Sequence, residues 1–329
     1  MEKSGTSISP LAVDMQIAIL NQCFLTSTHI KKLKSLGMLK VYRDTSSEKQ
    51  AIARLKGVEI AVANGLFTPL NDLVFATAKT LKFIVLNSTG YDFVDLVAAK
   101  KHNIRVANIP GFSTEAVAEH TIALMLAVSK KITSADLAFR RHPFEINPNS
   151  RKSAQFLGQN LNGKTLGIVG LGRIGAMVGK LAKGFGMNVI GTSRHQKKIL
   201  GIPWVNLNKL LKTSDIVSIH LPLNEETKEV ISRCELRLMK SSAILINTAR
   251  GKHVNTKALY QALYRKEIAG AGIDVLDEVA KCEGILRLNN IVFSPHSSWW
   301  TKESLECQAD MILENITAFI RGRPINIVN

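Results

Sequence analysis

The chain has 329 residues, 46% of them hydrophobic, which exceeds one ordinary domain and is enough for well-formed cores. It carries 43 Lys and Arg against 26 Asp and Glu, a formal charge of +17. The lysines fall as scattered pairs (Lys31 and Lys32, Lys100 and Lys101, Lys130 and Lys131) with no basic stripe interleaved with aromatics, so this is a solvated surface that attracts small anions and not a nucleic-acid interface.

No apolar run is long enough to span a bilayer, and the opening MEKSGTSISP lacks the order of a signal peptide. Cys23, Cys234, Cys282 and Cys307 have no metal-ligand spacing, so neither a zinc site nor a disulfide framework is expected, and a reducing cytoplasm fits. Residues 1–14 read as a loose tail. Beyond them, Met15 to Leu20 (MQIAIL), Ile60 to Ala63 (IAVA), Phe83 to Leu86 (FIVL) and Ile104 to Ala107 (IRVA) are short apolar runs separated by helical segments. That βα alternation predicts a parallel sheet with helices on both faces. The pattern breaks at Asn108-Ile109-Pro110-Gly111, where Ser113 or Thr114 caps a helix expected to run to about Ala138. This is the expected first crossing between domains. Polar residues from Arg140 to Gln159 form a long excursion without sheet pattern, of a kind that is often functional or intersubunit.

Lys164 to His195 reads as strand, glycine turn, helix and second strand. Gly170, Gly172 and Gly175 form G-x-G-x-x-G: the first permits the tight turn, the second lets backbone approach a pyrophosphate, and the third lets helix and strand pack closely. Leu166 to Val169 precede the turn, and Ile174, Val178, Leu181 and Phe185 follow at helical spacing. A pyrophosphate is expected on the amides of Arg173 and Ile174 at the helix N-terminus. Four more strands are predicted in IVSIHLPL (Ile216 to Leu223), AILINTAR (Ala243 to Arg250), AGAGID (Ala269 to Asp274) and IVFSPH (Ile291 to His296). The last helix, Lys302 to Arg321, is expected to return to the first domain. The fold class is therefore α/β with two doubly wound parallel-sheet domains: a Rossmann cofactor domain at 111–297, and a discontinuous, flavodoxin-like substrate domain at 15–110 and 298–329.

Reduction of a 2-keto acid needs a cation for the carboxylate, a proton donor beside the carbonyl oxygen and a nicotinamide against the carbonyl carbon. Arg250 lies just past a predicted strand end, where ligands of doubly wound sheets bind, and its planar fork suits a carboxylate. The alternative for a single arginine is a surface ion pair. His296 ends another strand and carries the side chain best matched to proton exchange near neutrality. Asp274, at a third strand end, either accepts a hydrogen bond from the nicotinamide amide or caps the next element. Trp299 and Trp300 either wall the pocket or serve domain packing.

These features resemble the D-isomer-specific 2-hydroxyacid dehydrogenase family, and within it the glycerate dehydrogenase (hydroxypyruvate reductase) branch. The resemblance rests on NSTGYDFVDL (Asn87 to Leu96), NIPGFSTEAVAEHTIALML (Asn108 to Leu126), the glycine turn, HLPLNEET (His220 to Thr227), NTARG (Asn247 to Gly251), AGIDVL, SPHSSWWTKES and the closing GRPINIVN. It implies an Arg, Glu and His catalytic set, with Arg250 on the substrate carboxylate and carbonyl and His296 as the acid in reduction. It also implies substrate contacts from Asn64 and from backbone amides near Thr89 and Gly90. Cofactor contacts are implied at His220, Pro222, Thr227, Thr248, Ala249, Asp274 and Ser298. One departure concerns the glutamate that pairs with the histidine: the family position falls on Val279, before Ala280, and the stretch to His296 is about two residues short. Glu278 is assigned the role, with Asp277 and Glu283 as fallbacks; without such a carboxylate the histidine pKa falls and proton donation weakens.

At the end of the second strand, where NAD enzymes place an acid on the ribose, this chain has Ser193 followed by Arg194, His195, Lys197 and Lys198. That favours NADP(H), with NAD(H) possible if those charges face solvent. The expected activity is reduction of hydroxypyruvate or glyoxylate to D-glycerate or glycolate by a cytoplasmic homodimer. Domain closure is expected to exclude water, with hinges near Pro110 and Ser297, and no metal is expected to take part. Two rivals stand: a catalytically impaired dinucleotide sensor of the same fold, and a formate- or phosphonate-type dehydrogenase.

Overall fold

The computed structural model describes residues 15–141, 151–195, 199, 201–275 and 281–329. They form two compact units, the first holding the described residues up to Ser113 together with Thr301–Asn329, and the second holding those from Thr114 to Trp300.

The first unit alternates strand and helix: β1 (Gln16–Ile19), α1 (Ser27–Leu36), β2 (Met38–Val41), α2 (Glu48–Leu55), β3 (Ile60–Ala63), α3 (Asp72–Thr77), β4 (Phe83–Leu86), α4 (Leu96–Lys101) and β5 (Arg105–Ala107). All pairings are parallel, in the order β2-β1-β3-β4-β5. Helices cover both faces, so β3 and β4 are buried at every position, which is why they read as unbroken apolar runs. The edge strand β2 went unanticipated because Met38 and Val41 are exposed and its sequence, MLKV, has no buried face to mark it.

The second unit opens with α5 (Thr114–Ser129) and α6 (Ile132–Arg141). One helix to about Ala138 was expected; the break falls at Lys131, whose φ of 54° takes the chain out of helical geometry. There follow β6 (Thr165–Val169), α7 (Arg173–Gly184), β7 (Asn188–Thr192), α8 (Leu207–Thr213), β8 (Ile216–Ile219), α9 (Arg233–Leu238), β9 (Ile244–Asn247), α10 (Thr256–Tyr264), β10 (Gly270–Ile273), α11 (Glu283–Leu286) and β11 (Ile291–Phe293). The sheet is again parallel, in the order β11-β10-β9-β8-β6-β7. Its two faces carry separate apolar clusters, one with Leu210, Leu245 and Leu259 and one with Met125, Ile168 and Val178. The last helix, α12 (Lys302–Ile320), belongs to the first unit. There Phe319 stacks on Phe83 with ring centroids 4.3 Å apart, and Gln308 and Asn315 donate to the carbonyls of Asn87 and Asn108.

Because β6 lies between β7 and β8, the chain leaves the carboxyl ends of β6 and β8 in opposite directions. A crevice opens there, the usual ligand position in doubly wound sheets.

Candidate active site

The glycine turn occupies the end of β6, and its three glycines meet different surroundings. Gly170 has φ +109°, a left-handed conformation that a side chain resists, and a Cβ there would collide with the carbonyl of His220 across the crevice. A Cβ on Gly175 would strike the carbonyl of Gly170 and the Ile168 side chain, so this glycine sets how closely α7 packs on β6. At Gly172 a Cβ would meet nothing within 4 Å. Gly172 is also the N-cap of α7 and offers no side-chain cap, so the first amides of the helix, including those of Arg173 and Ile174, face outward as donors for an anion. The open space and the uncapped amides fit a dinucleotide pyrophosphate.

At the end of β7, the Ser193 hydroxyl donates to the His195 carbonyl at 2.5 Å, and the indole of Trp204 donates to the Ser193 carbonyl at 3.2 Å. Arg194 is exposed and pairs with Glu226 at 2.6 Å. Lys197 and Lys198 lie outside the described residues. Past β8, burial pushes the His220 imidazole down to about 3, so the ring is neutral; its Nε2 lies 2.8 Å from the Ser218 hydroxyl. The loop from Pro222 to Thr227 is closed on itself: the Thr227 hydroxyl donates to the Pro222 carbonyl at 2.7 Å, and Asn224 accepts from the Thr227 amide at 3.0 Å. His253, fully buried, braces this loop with its ring nitrogens 2.9 and 3.0 Å from the carbonyls of Thr227 and Leu221. Nothing in its local sequence, GKHVN, marks that role, because the contact spans a separate loop.

The chemistry-bearing residues gather on the carboxyl edge formed by β9, β10 and β11, which are neighbours in the sheet. After β9, Asn247 wraps the turn, accepting from the Ala249 amide and donating to the Arg250 carbonyl. The Thr248 hydroxyl lies 3.0 Å from that of Thr121, which donates to Val117; Thr248 is therefore the donor of the pair. Arg250 is half-buried, with Nη1 donating to the Ala249 carbonyl at 2.8 Å. After β10 comes Asp274, fully buried. Its Oδ1 accepts from the Ser294 hydroxyl at 2.6 Å and the Ser297 amide at 2.9 Å, and Oδ2 accepts from the Ser298 amide at 3.1 Å. After β11, His296 is half-buried, with φ 55° and its amide 2.7 Å from the Asp274 carbonyl. Thus Arg250, Asp274 and His296 stand at three adjacent strand ends. Glu278, with the fallback Asp277, lies outside the described residues; the fallback Glu283 is exposed in the first turn of α11.

Asn64, Thr89 and Gly90 belong to the first unit. Asn64 follows β3 and accepts from the Leu66 amide at 3.0 Å. Thr89 is exposed; its hydroxyl donates to the Ile109 carbonyl at 3.1 Å, and its carbonyl accepts from the Asn108 amide group at 2.7 Å. The Gly90 carbonyl accepts from the Ser88 hydroxyl at 2.7 Å.

A family model described as D-isomer specific 2-hydroxyacid dehydrogenase, NAD binding domain, matches residues 122–298. The chain belongs to the D-isomer-specific 2-hydroxyacid dehydrogenase family. It is 39% identical to the glyoxylate reductase of Korarchaeum cryptofilum, over 91% of this chain and 92% of the relative. It is 36% identical to the glycerate dehydrogenase of Methylorubrum extorquens, over 88% of this chain and 91% of that one. A solved structure of an acyclic imino acid reductase in complex with NADPH and D-Arg aligns with a TM-score of 0.89 at 35% identity, covering 96% of this chain and 100% of its own. The D-2-hydroxyacid dehydrogenase family expected from the motifs is thus the one found, and so is the α/β class with two parallel sheets. Membership makes the chain an oxidoreductase that uses a nicotinamide dinucleotide. Among the described residues, no helix is long and apolar enough to cross a membrane, and no cluster of three or more His, Cys, Asp or Glu has metal-holding geometry.

Proposed function

We propose that the protein is an NADPH-preferring reductase of small 2-keto acids, taking glyoxylate to glycolate and hydroxypyruvate to D-glycerate. The observation that carries this reading is the placement of Arg250, Asp274 and His296 at three adjacent strand ends, on the same carboxyl edge of the sheet as the glycine turn. The names of the relatives support the substrates.

When bound, the reduced nicotinamide supplies a hydride to the keto carbon. The Arg250 guanidinium holds the substrate carboxylate and polarises the carbonyl. His296 gives its proton to the carbonyl oxygen, leaving the hydroxy acid, and takes another from solvent. Glu278 orients the histidine and favours its protonated form. Asp274 holds the turn that carries His296 through three hydrogen bonds to its fully buried carboxylate, and Oδ2, with a single partner, is the atom that would accept from the nicotinamide amide once cofactor binding uncovers it. Asn64 and the amides of Thr89 and Gly90 contact the substrate; neither of these amides donates a hydrogen bond among the described residues, which leaves both for an anion. His220, Pro222, Thr227, Thr248, Ala249 and Ser298 line the cofactor.

The preference for NADPH rests on Ser193 in place of an acid and on Arg194, whose exposed guanidinium has only to exchange Glu226 for a 2′-phosphate. A homodimer is supported by α6, which has no buried residue and exposes Ile132, Leu137 and Phe139, and by the exposed Leu157. A cytoplasmic setting suits the four free cysteines.

The likeness to the imino acid reductase favours a second reading, in which the acceptor is the carbon–nitrogen double bond of an imino acid. One panel tests both: NADPH and NADH oxidation with glyoxylate, hydroxypyruvate and pyruvate, each with and without ammonium or methylamine. The main reading expects turnover with NADPH and glyoxylate or hydroxypyruvate alone. Turnover only with amine present supports the second, and NADPH binding without turnover under any condition supports the sensor.

A further inference from the structure

We propose that His120, on α5, is a positioning residue for His296, acting through Ser294 and Asp274. The proposal rests on the reading of His296 as proton donor.

Asp274 fastens the turn after β11 at several points. Its backbone carbonyl takes the His296 amide, and its carboxylate takes the Ser294 hydroxyl and the amides of Ser297 and Ser298. His296 sits within that clamp at φ 55°, a left-handed conformation that a non-glycine residue keeps only when its surroundings hold it there. A carboxylate with no exposed surface is tolerated because donors surround it.

Proton counting fixes the next link. The Ser294 hydroxyl has one proton, and at 2.6 Å from Oδ1 of Asp274 it gives that proton to the carboxylate. The 2.8 Å contact between Ser294 Oγ and His120 Nε2 is therefore one in which the imidazole donates. His120 Nε2 also lies 3.6 Å from Oδ1 of Asp274, too far for a hydrogen bond. The ring reaches the turn through the serine and locks the rotamer that lets Ser294 serve Asp274. The chain runs His120, Ser294, Asp274, then the amides on either side of the proton donor. Cutting it at His120 frees the Ser294 hydroxyl to turn away and loosens one of the attachments that aim the His296 ring.

A loosened aim slows proton transfer more than it weakens binding, because a displacement of about 1 Å in a reacting group costs ~10²-fold in rate. The test compares His120→Ala, His120→Gln and Ser294→Ala with wild type, using glyoxylate reduction, NADPH affinity, and amide exchange of Ser297 and Ser298 in the cofactor-free protein. For His120→Ala and Ser294→Ala, kcat is expected to fall ~10- to 100-fold. KM for glyoxylate and Kd for NADPH should stay within about threefold, and the two amides should exchange about tenfold faster. His120→Gln, which keeps a donor in reach of Ser294, should recover kcat to within about fivefold of wild type. A merely structural role predicts instead that kcat, KM and Kd change together and that glutamine gives no recovery.

The proposal is overturned if kcat of both alanine variants stays within about twofold of wild type, or if NADPH affinity falls in step with kcat. Should His120→Ala not fold, Ser294→Ala, the loss of one oxygen atom, decides by the same readouts. Active wild type with unaffected variants sinks this inference alone, whereas wild type that binds NADPH and reduces no keto acid sinks the reading of His296 and this inference with it.

Discussion

In both units the first strand lies between the second and the third, so each unit leaves a crevice at the carboxyl ends of two neighbouring strands. The first unit closes its crevice with one side chain. Asn21, just past β1, accepts from the Asn64 amide at 3.0 Å and the Thr68 hydroxyl at 2.5 Å, and donates to the Thr45 carbonyl at 3.1 Å. The second unit has Gly170, Leu171 and Gly172 at the equivalent place, with open space over Gly172 and uncapped helix amides beneath it. Strand order creates the opportunity for a ligand, and two or three residues at the strand end decide whether it is used.

Substitutions at these positions should separate the units, and the largest effect belongs to Gly175→Val. Its new side chain meets the backbone of Gly170 and the Ile168 side chain, so it should cost ~3 kcal/mol or more in denaturant unfolding and abolish NADPH binding. Asn21→Ala should cost about 2–3 kcal/mol by leaving buried partners unpaired. NADPH affinity by titration calorimetry should nevertheless stay within about twofold, because the residue stitches the other unit's crevice. Gly172→Ala should reverse that pattern, with stability changed by less than ~1 kcal/mol and NADPH bound about tenfold more weakly, since the added methyl stands where the phosphates approach.

Acid gives a smaller, graded distinction. The folded pKa of His220 lies near 3, below the ordinary value of 6.5, so between those values the unfolded chain binds more protons. The second unit should therefore lose stability as pH falls through that window, by about one proton's worth of slope, and His220→Gln should flatten the loss.

The glycine turn and the strand-end positions of Arg250, Asp274 and His296 were legible because each is written within a few consecutive residues. Buried parallel strands appear as apolar runs, and the turn needs glycine at fixed spacing. What escaped the sequence lacks one of those properties. The edge strand β2 has no buried face, so its residues carry no alternation. The break before α6 depends on Lys131 adopting a left-handed backbone that its side chain does not announce. Asn21 and His120 act on partners 43 and 174 residues away, and polarity beside an apolar stretch was the one available clue to either. Within α5, His120 and Thr121 follow Glu119 and precede the apolar run Ile122 to Val128, and they contact Ser294 and Thr248 on the carboxyl edge of the sheet.

The central claim, that Arg250 and His296 carry the chemistry on one sheet edge, is tested most directly by stopped-flow NADPH oxidation with glyoxylate in wild type, Arg250→Ala and His296→Ala. Arg250→Ala is expected to lose ~10³-fold in kcat/KM with a raised KM, and His296→Ala to lose ~10²- to 10⁴-fold in kcat, each binding NADPH as wild type does. Wild-type turnover in either folded variant would contradict it.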